Sequence, residues 1–258
     1  RFQQRLLNTF SEAFDAASTG PGTSFDVNFK VLPLSEQRDL ATELTRNHKV
    51  ISLDPFIPGD HNLAISRCFP LSSGKGKPTV IARPGHPAID EQIQRIPPGK
   101  YVLMDDDITT GATVGQVMSY LPAEIQITEC IGLVKLADPV QDDRYPIDIL
   151  DFRDFLCGTS KGGLVVKLPT GQFVRAPYVL PYVSPADRAS TPLSQNIEVS
   201  RRVWELNVDF FRSVTPGLKL KDVDESFQSL MRYVGFSNDD LLEQICAWHL
   251  NRLSDLSG

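Results

Sequence analysis

The stretch YVLMDDDITTGATVGQV, residues 101 to 117, places an acidic cluster directly after an apolar run. Residues 101 to 104 have the character of a buried strand, and residues 111 to 120 that of a helix. Three consecutive aspartates and a segment rich in threonine and glycine lie between them. Adjacent carboxylates repel each other and need a partner when they leave water. The pattern therefore predicts a binding site where the strand passes into the helix.

The helix end of this connection favours a phosphate group. Backbone N–H groups at a helix N-terminus lack intrahelical acceptors, and the helix dipole is positive there. Gly111 allows a close approach of the backbone, and Thr109, Thr110 and Thr113 add hydroxyl donors. In an open α/β sheet, such a connection lies at the carboxyl edge, where these sheets bind ligands.

The strand end of the connection favours a sugar and a cation. Asp105 and Asp106 can accept hydrogen bonds from the two hydroxyls of a ribose. Together with Asp107 they can attract Mg²⁺, a hard cation that prefers oxygen ligands. A diol-binding end and a phosphate-binding end in one connection are the outline of a ribose 5-phosphate site.

The segment VLMDDDITTGAT, residues 102 to 113, resembles the phosphoribosyl-pyrophosphate (PRPP) loop of the type I phosphoribosyltransferases. That motif consists of hydrophobic residues, two acidic residues, a short spacer and Thr-Gly-Gly/Ala-Thr. The resemblance implies that Asp105 and Asp106 are the catalytic acidic pair that holds the ribose hydroxyls. It assigns the 5-phosphate loop to Thr109, Thr110, Gly111, Ala112 and Thr113.

The resemblance also implies a fold and a reaction. The expected fold is α/β, a parallel sheet flanked by helices, with a small hood over the acceptor site. The expected reaction needs Mg²⁺ and transfers phosphoribose at the sugar C1 to a small-molecule acceptor, with loss of pyrophosphate. A protein of nucleotide metabolism in the cytoplasm would fit this activity.

Two positions depart from the family pattern. Asp107 stands where the family usually has an apolar residue. Thr109 stands where the hypoxanthine-type enzymes carry an aspartate proposed as general base, and where the orotate-type motif has a threonine. The acceptor is therefore expected to be a nitrogen nucleophile other than a purine, and its identity stays open.

Basic residues for the pyrophosphate are candidates from three segments. SRCFPLSSGKGK, residues 66 to 77, supplies Arg67, Lys75 and Lys77, while ARPGH supplies Arg83 and DFRDF supplies Arg153. The segment LDPFIPGD, residues 53 to 60, is a candidate first loop of the site. Each segment is equally compatible with a solvated surface loop.

Two other functions fit the same stretch. Asp105 to Thr109 satisfies the DxDxT motif of haloacid dehalogenase-like phosphatases, with Asp105 as nucleophile and Asp107 as acid/base. A non-catalytic PRPP- or sugar-phosphate-sensing module would need the same loop and no chemistry.

The rest of the chain divides into three predicted regions. Residues 1–19 form an N-terminal helix, and residues 20–140 form the PRPP-binding α/β core, with residues 57–79 irregular. Residues 141–258 form a β-hairpin that turns at residues 169 to 171, followed by helices over about 197–214, 222–236 and 238–256. This last region is expected to select the substrate or to form a homodimer.

Composition excludes several classes of protein. The 258 residues carry a net charge of −6, which argues against general nucleic-acid binding. No apolar run approaches the length of a bilayer span, so no membrane association is expected. The four cysteines form no CxxC pair, which predicts reduced thiols in a cytoplasmic protein. The chain begins at Arg1 and not at methionine, which predicts that a preceding segment was removed.

Overall fold

The computed structural model describes residues 2–17, 33–71, 78–108, 111–135, 164–189 and 192–255. Two compact units divide these residues, and each is described by itself. Residues 20–32, the beginning of the predicted α/β core, lie outside the described residues.

The first unit contains the strands and helices expected of an α/β core. Its elements are α2 (Leu34–Leu44), β1 (Val50–Ser52), β2 (His61–Asn62), β3 (Ile65–Phe69), β4 (Thr79–Ala82), α3 (Ile89–Ile93), β5 (Gly99–Ile108), α4 (Ala112–Tyr120) and β6 (Ile125–Lys135). Phe69 alone is grouped with the other unit. Four of the strands form one sheet in the order β2-β1-β5-β6, and every pair in it is parallel. The predicted α/β fold with a parallel sheet flanked by helices is therefore confirmed at this level.

Alternation along β5 explains why helices cover both faces of the sheet. Val102 and Met104 are fully buried in a cluster that includes Ala41 of α2. Leu103, between them, points to the opposite face and joins a cluster that includes Val117 of α4. A strand that is buried on both faces reads as a continuous apolar run, as residues 101 to 104 do.

The strand β5 extends further than the sequence predicts. The expected loop beginning at Asp105 is wrong, because β5 continues to Ile108. The physical reason is β6, which is long enough to pair Asp105 with Gly132 and Ile108 with Lys135. These backbone partners keep the acidic residues in extended conformation.

Strands β3 and β4 form an antiparallel pair, in register from Ile65 opposite Ala82 to Cys68 opposite Thr79. The prediction that residues 57–79 are irregular is therefore wrong for β2 and β3. Polar residues such as Ser66 and Arg67 interrupt the apolar pattern of β3, so the strand was not recognised from the sequence.

The second unit is mainly helical. Its elements are α1 (Phe2–Ala17), β7 (Val165–Lys167), β8 (Phe173–Arg175), α5 (Pro185–Ala189), α6 (Asn196–Ser213), α7 (Glu225–Val234), α8 (Leu242–Asp255) and short 3₁₀ helices at Leu193–Gln195 and Leu220–Asp222. β7 and β8 form the predicted hairpin, and Gly171 adopts φ 89° in its turn. Helix α1 contacts α6 through an Arg5–Asp209 ion pair at 2.8 Å. Among the helices that the structure describes, none is long and apolar enough to cross a bilayer.

A buried histidine lies at the centre of the second unit. The indole ring of Trp204 stacks on the imidazole of His249 with centroids 4.4 Å apart. His249 Nδ1 lies 2.7 Å from the Ile245 carbonyl oxygen, which can only accept, so Nδ1 carries the proton. Nε2 then accepts the hydroxyl of Tyr182 at 2.6 Å. Burial lowers the pKa of His249 to about 4, with a smaller contribution from Arg252.

Substituting His249→Phe should destabilise the protein most at neutral pH. At pH 7 it removes the imidazole acceptor of the Tyr182 hydroxyl and the imidazole donor to the Ile245 carbonyl, which costs about 1–3 kcal/mol. Between pH 6.5 and 4 the unfolded histidine binds a proton that the folded one rejects, so the wild type loses stability as pH falls. The difference in the free energy of unfolding between wild type and variant, measured by urea unfolding, should therefore become smaller from pH 7 to pH 4.5.

The exposed His48 supplies the control for this experiment. His48→Phe should show no such narrowing. A constant difference between wild type and His249→Phe across this pH range would contradict the assignment of a neutral, buried imidazole.

Candidate functional site

The acidic residues of β5 lie at the carboxyl end of a middle strand of the parallel sheet. Asp105 and Asp106 follow Met104 directly, and both are partly buried. The two side chains interact, since a side-chain hydrogen bond with Asp106 contributes to the raised pKa of Asp105. The Asp105 carboxylate also accepts the Asp106 backbone N–H at 3.1 Å, so the two residues form one local unit.

Asp54 belongs to the same cluster, although sequence analysis did not single it out. The Leu53 N–H donates to the Met104 carbonyl at 2.8 Å, so the ladder between β1 and β5 ends beside the acids. One oxygen of Asp54 accepts the N–H groups of Phe56 and Ile57 at 2.6 and 2.9 Å. Its position directly after a strand that runs parallel to β5 was the signal that could have identified it.

Burial and mutual repulsion make it unfavourable to ionise all three carboxyl groups of the cluster together. Burial, then the charge of Asp106, raises the pKa of Asp54 to about 6, against the opposing effect of its two backbone hydrogen bonds. Burial, followed by the charge of Asp106, raises the pKa of Asp105 well above its ordinary value, and Asp54 adds to this. The carboxyl edge of the sheet is therefore an acidic cluster that resists taking its full negative charge.

Arg83 provides positive charge near this cluster. Its side chain is buried, and Nη2 and Nε donate to the Ile65 carbonyl at 2.9 and 3.2 Å. The guanidinium also acts electrostatically on Asp54 and lowers its pKa, but less than burial and Asp106 raise it. Arg83, which was predicted for pyrophosphate, therefore lies close enough to the acidic cluster to act on Asp54.

Helix α4 begins beyond the acids, and its N-terminus follows a glycine in the left-handed conformation. Gly111 adopts φ 69° immediately before Ala112, and, chain neighbours aside, no heavy atom of the described residues lies within 4 Å of where a Cβ would be. The Gly115 N–H donates to the Gly111 carbonyl at 2.8 Å, so the N–H groups of Thr113 and Val114 lie in the turn that precedes the regular helix bonds. This is the geometry that an anion at a helix N-terminus uses.

The structure describes only some of the remaining predicted residues. Arg67 lies in β3 opposite Val80, and it is partly buried. Residues outside the described part of the chain are Thr109, Thr110, Lys75, Lys77 and Arg153. Asp107 lies in β5, but its side chain also falls outside the description, so its predicted role as a metal ligand stays a prediction.

A hard cation fits the donor chemistry of the cluster. Within the described residues, no group of three His, Cys, Asp or Glu side chains could hold a metal ion. Mg²⁺ usually binds through one or two carboxylates and completes its coordination with water and substrate phosphate oxygens. Asp105 and Asp106 supply that smaller number of ligands, and their unfavourable proximity would be relieved by a cation.

Comparisons with protein families, with curated proteins and with solved structures found no match for this chain.

The conformation of Gly111 and that of Gly115 make a matched pair for mutation. Gly111→Ala should destabilise the protein by about 1–2 kcal/mol, because a Cβ is strained at positive φ even where there is room for it. Gly115→Ala, inside α4 and also in open space, should stabilise the protein by about 0.5–1 kcal/mol. Thermal unfolding of both variants checks the opposite signs, and a gain in stability from Gly111→Ala would contradict the left-handed geometry.

Asp54→Asn should relieve the electrostatic cost of the cluster without disturbing its hydrogen bonds. The amide oxygen can still accept from Phe56 and Ile57. Because the folded-state pKa of Asp54 is raised to about 6, the wild type loses stability as pH rises from about 4 through 6. The free energy of unfolding of the variant should therefore equal that of the wild type near pH 4. At pH 7 it should be larger by an amount on the order of 1 kcal/mol after solvent screening.

Urea unfolding at pH 4, 5.5 and 7 measures this difference. Asp39→Asn, at an exposed position in α2, is the control and should show no pH-dependent gain. Equal destabilisation by Asp54→Asn at all three pH values would show that Asp54 has a purely structural role.

Proposed function

We propose that this chain binds PRPP with Mg²⁺ and transfers phosphoribose to a small nitrogen nucleophile, releasing pyrophosphate. The observation that supports this most is the placement of Asp105 and Asp106 at the end of a middle strand of an all-parallel sheet. Helix α4 begins close behind them in the chain, with Gly111 in the left-handed conformation. The segment that resembles the PRPP loop therefore lies between a strand and a helix, as that motif requires.

In this proposal each end of the connection has one task. Asp105 and Asp106 accept hydrogen bonds from the ribose hydroxyls. Residues 109–113 surround the 5-phosphate, which the α4 N-terminus stabilises through its backbone N–H groups and dipole. Arg83 lies on the acid side and favours the negatively charged pyrophosphate.

When bound, Mg²⁺ would neutralise charge on the pyrophosphate leaving group and let Asp105 and Asp106 stay ionised. The chain's own residues then contribute by positioning. The bond from C1 to pyrophosphate breaks, the bond from C1 to the acceptor nitrogen forms, and a proton leaves that nitrogen. Positive charge develops on the sugar between these events, and holding both partners in line lowers the barrier.

The non-catalytic alternative is separated from this proposal by its products. A sensing module would bind PRPP with Mg²⁺ and release no pyrophosphate with any candidate acceptor. The phosphatase alternative, with Asp105 as nucleophile and Asp107 as acid/base, is separated in the same way. A phosphatase would release inorganic phosphate instead of pyrophosphate.

Substituting Asp105→Asn together with Asp106→Asn should abolish PRPP binding and preserve the fold. The double variant keeps the side-chain shapes and removes both charges, so its stability should equal or exceed that of the wild type. Calorimetric titration with PRPP and Mg²⁺ measures the binding, and thermal unfolding measures the stability. Unchanged PRPP affinity in the double variant would overturn the proposal, and Asp90→Asn together with Glu91→Gln, both exposed in α3, is the charge-matched control.

A further inference from the structure

Helix α4 is attached to the β3–β4 pair by the side-chain amide of Gln116. Its Oε1 accepts the Val80 N–H at 2.8 Å, and its Nε2 donates to the Pro78 carbonyl at 3.2 Å. The Tyr120 hydroxyl, one turn further along α4, lies 3.5 Å from the Val80 carbonyl oxygen and donates to it. Strand β4 thus presents its edge beyond β3 to side chains of α4.

The geometry of the Gln116 amide matches that of a parallel strand. A residue in a parallel ladder bonds to the carbonyl of one residue and to the N–H two residues later. Gln116 satisfies that same pair of backbone groups at Pro78 and Val80 with one side chain. Removing the amide would leave backbone groups at the strand edge without a partner, so the attachment is specific in direction and register.

This attachment connects the two ends of the proposed site. Helix α4 carries Gly111 and Thr113 at the phosphate end. Strand β4 leads through Ala82 into Arg83, which acts on the acidic cluster. The chain itself joins α4 to β5, and Gln116 adds a second attachment that limits rotation of the helix about the first.

We infer that Gln116 is a positioning residue, which fixes the N-terminus of α4 relative to the acidic cluster for the binding of a ribose 5-phosphate. The inference rests on the proposed function and adds a determinant outside the resembled motif. Gln116 touches neither sugar nor phosphate in this account and acts through the placement of α4.

Gln92 is a matched control in the same unit. Its Oε1 accepts the Ala64 N–H at 2.7 Å, and its Nε2 donates to the Pro87 carbonyl at 2.7 Å and to the Ala64 carbonyl at 3.3 Å. Gln92 therefore makes a comparable set of bonds to backbone groups from α3, a helix to which the proposal assigns no ligand contact. Loss of either glutamine should reduce stability to a similar degree.

The experiment compares Gln116→Ala with Gln92→Ala in the full chain. Gln116→Ala should increase hydrogen exchange in residues 112–120 and weaken binding of ribose 5-phosphate with Mg²⁺ roughly tenfold by calorimetry. Gln92→Ala should leave both unchanged despite a similar loss of thermal stability. Gln116→Glu, which can still accept from Val80 but cannot donate to Pro78, should show an intermediate loss of affinity and keeps the test possible if the alanine variant does not fold.

The outcomes separate this inference from the proposed function. If the wild type binds ribose 5-phosphate and Gln116→Ala binds it equally well, the inference is overturned and the proposed function stands. Equal weakening by Gln92→Ala would also overturn it, since the effect would then come from general destabilisation. If the wild type does not bind ribose 5-phosphate, the proposed function fails, and the role of Gln116 towards that phosphate fails with it.

Discussion

The parallel pairing of β1 with β5 is the constraint on which the site depends. Register fixes Ser52 opposite Met104, and the Leu53 N–H extends the ladder by one more bond to the Met104 carbonyl at 2.8 Å. The carboxyl ends of adjacent parallel strands lie at the same edge of the sheet, and this places Asp54 near Asp105 and Asp106. A register shift of one residue would turn the apolar residues of β1 away from their clusters, and the buried sheet therefore holds the acids together against their repulsion.

The burial of apolar side chains in the sheet offsets the repulsion within the acidic cluster. Residues 101–104, directly before the acids, are fully or almost fully buried, and Leu103 and Met104 are 0% exposed. Fully burying one such side chain contributes about 1.5–3 kcal/mol. A few buried residues therefore outweigh the repulsion among three carboxyl groups, and the fold can maintain an acidic edge that does nothing for stability. Sites that bind ligands commonly show this imbalance between local cost and surrounding support.

Sequence patterns predicted those features that follow from local chemistry. The apolar run at 101–104 indicated a buried strand, and residues 111–120 indicated a helix; both are present. The extension of β5 to Ile108 could not be predicted in this way, because it depends on the length of β6, a strand that begins 17 residues later. Asp54 was missed for the same reason, since its importance comes from a neighbouring strand and not from its own surroundings in the chain.

The edge of β4 shows a further limit of local patterns and gives the site its second support. Val80 donates to Gln116 across 36 residues of sequence, and Ala64 donates to Gln92 across 28. A glutamine in a helix reads as a solvated residue, because its helical propensity and polarity suit an exposed face. Here both amides instead complete the hydrogen bonding of backbone beside the sheet, where an added strand would otherwise be needed. Helices α3 and α4 are thus held by directional polar contacts as well as by apolar packing, and directional contacts resist the rotation that apolar packing alone would tolerate.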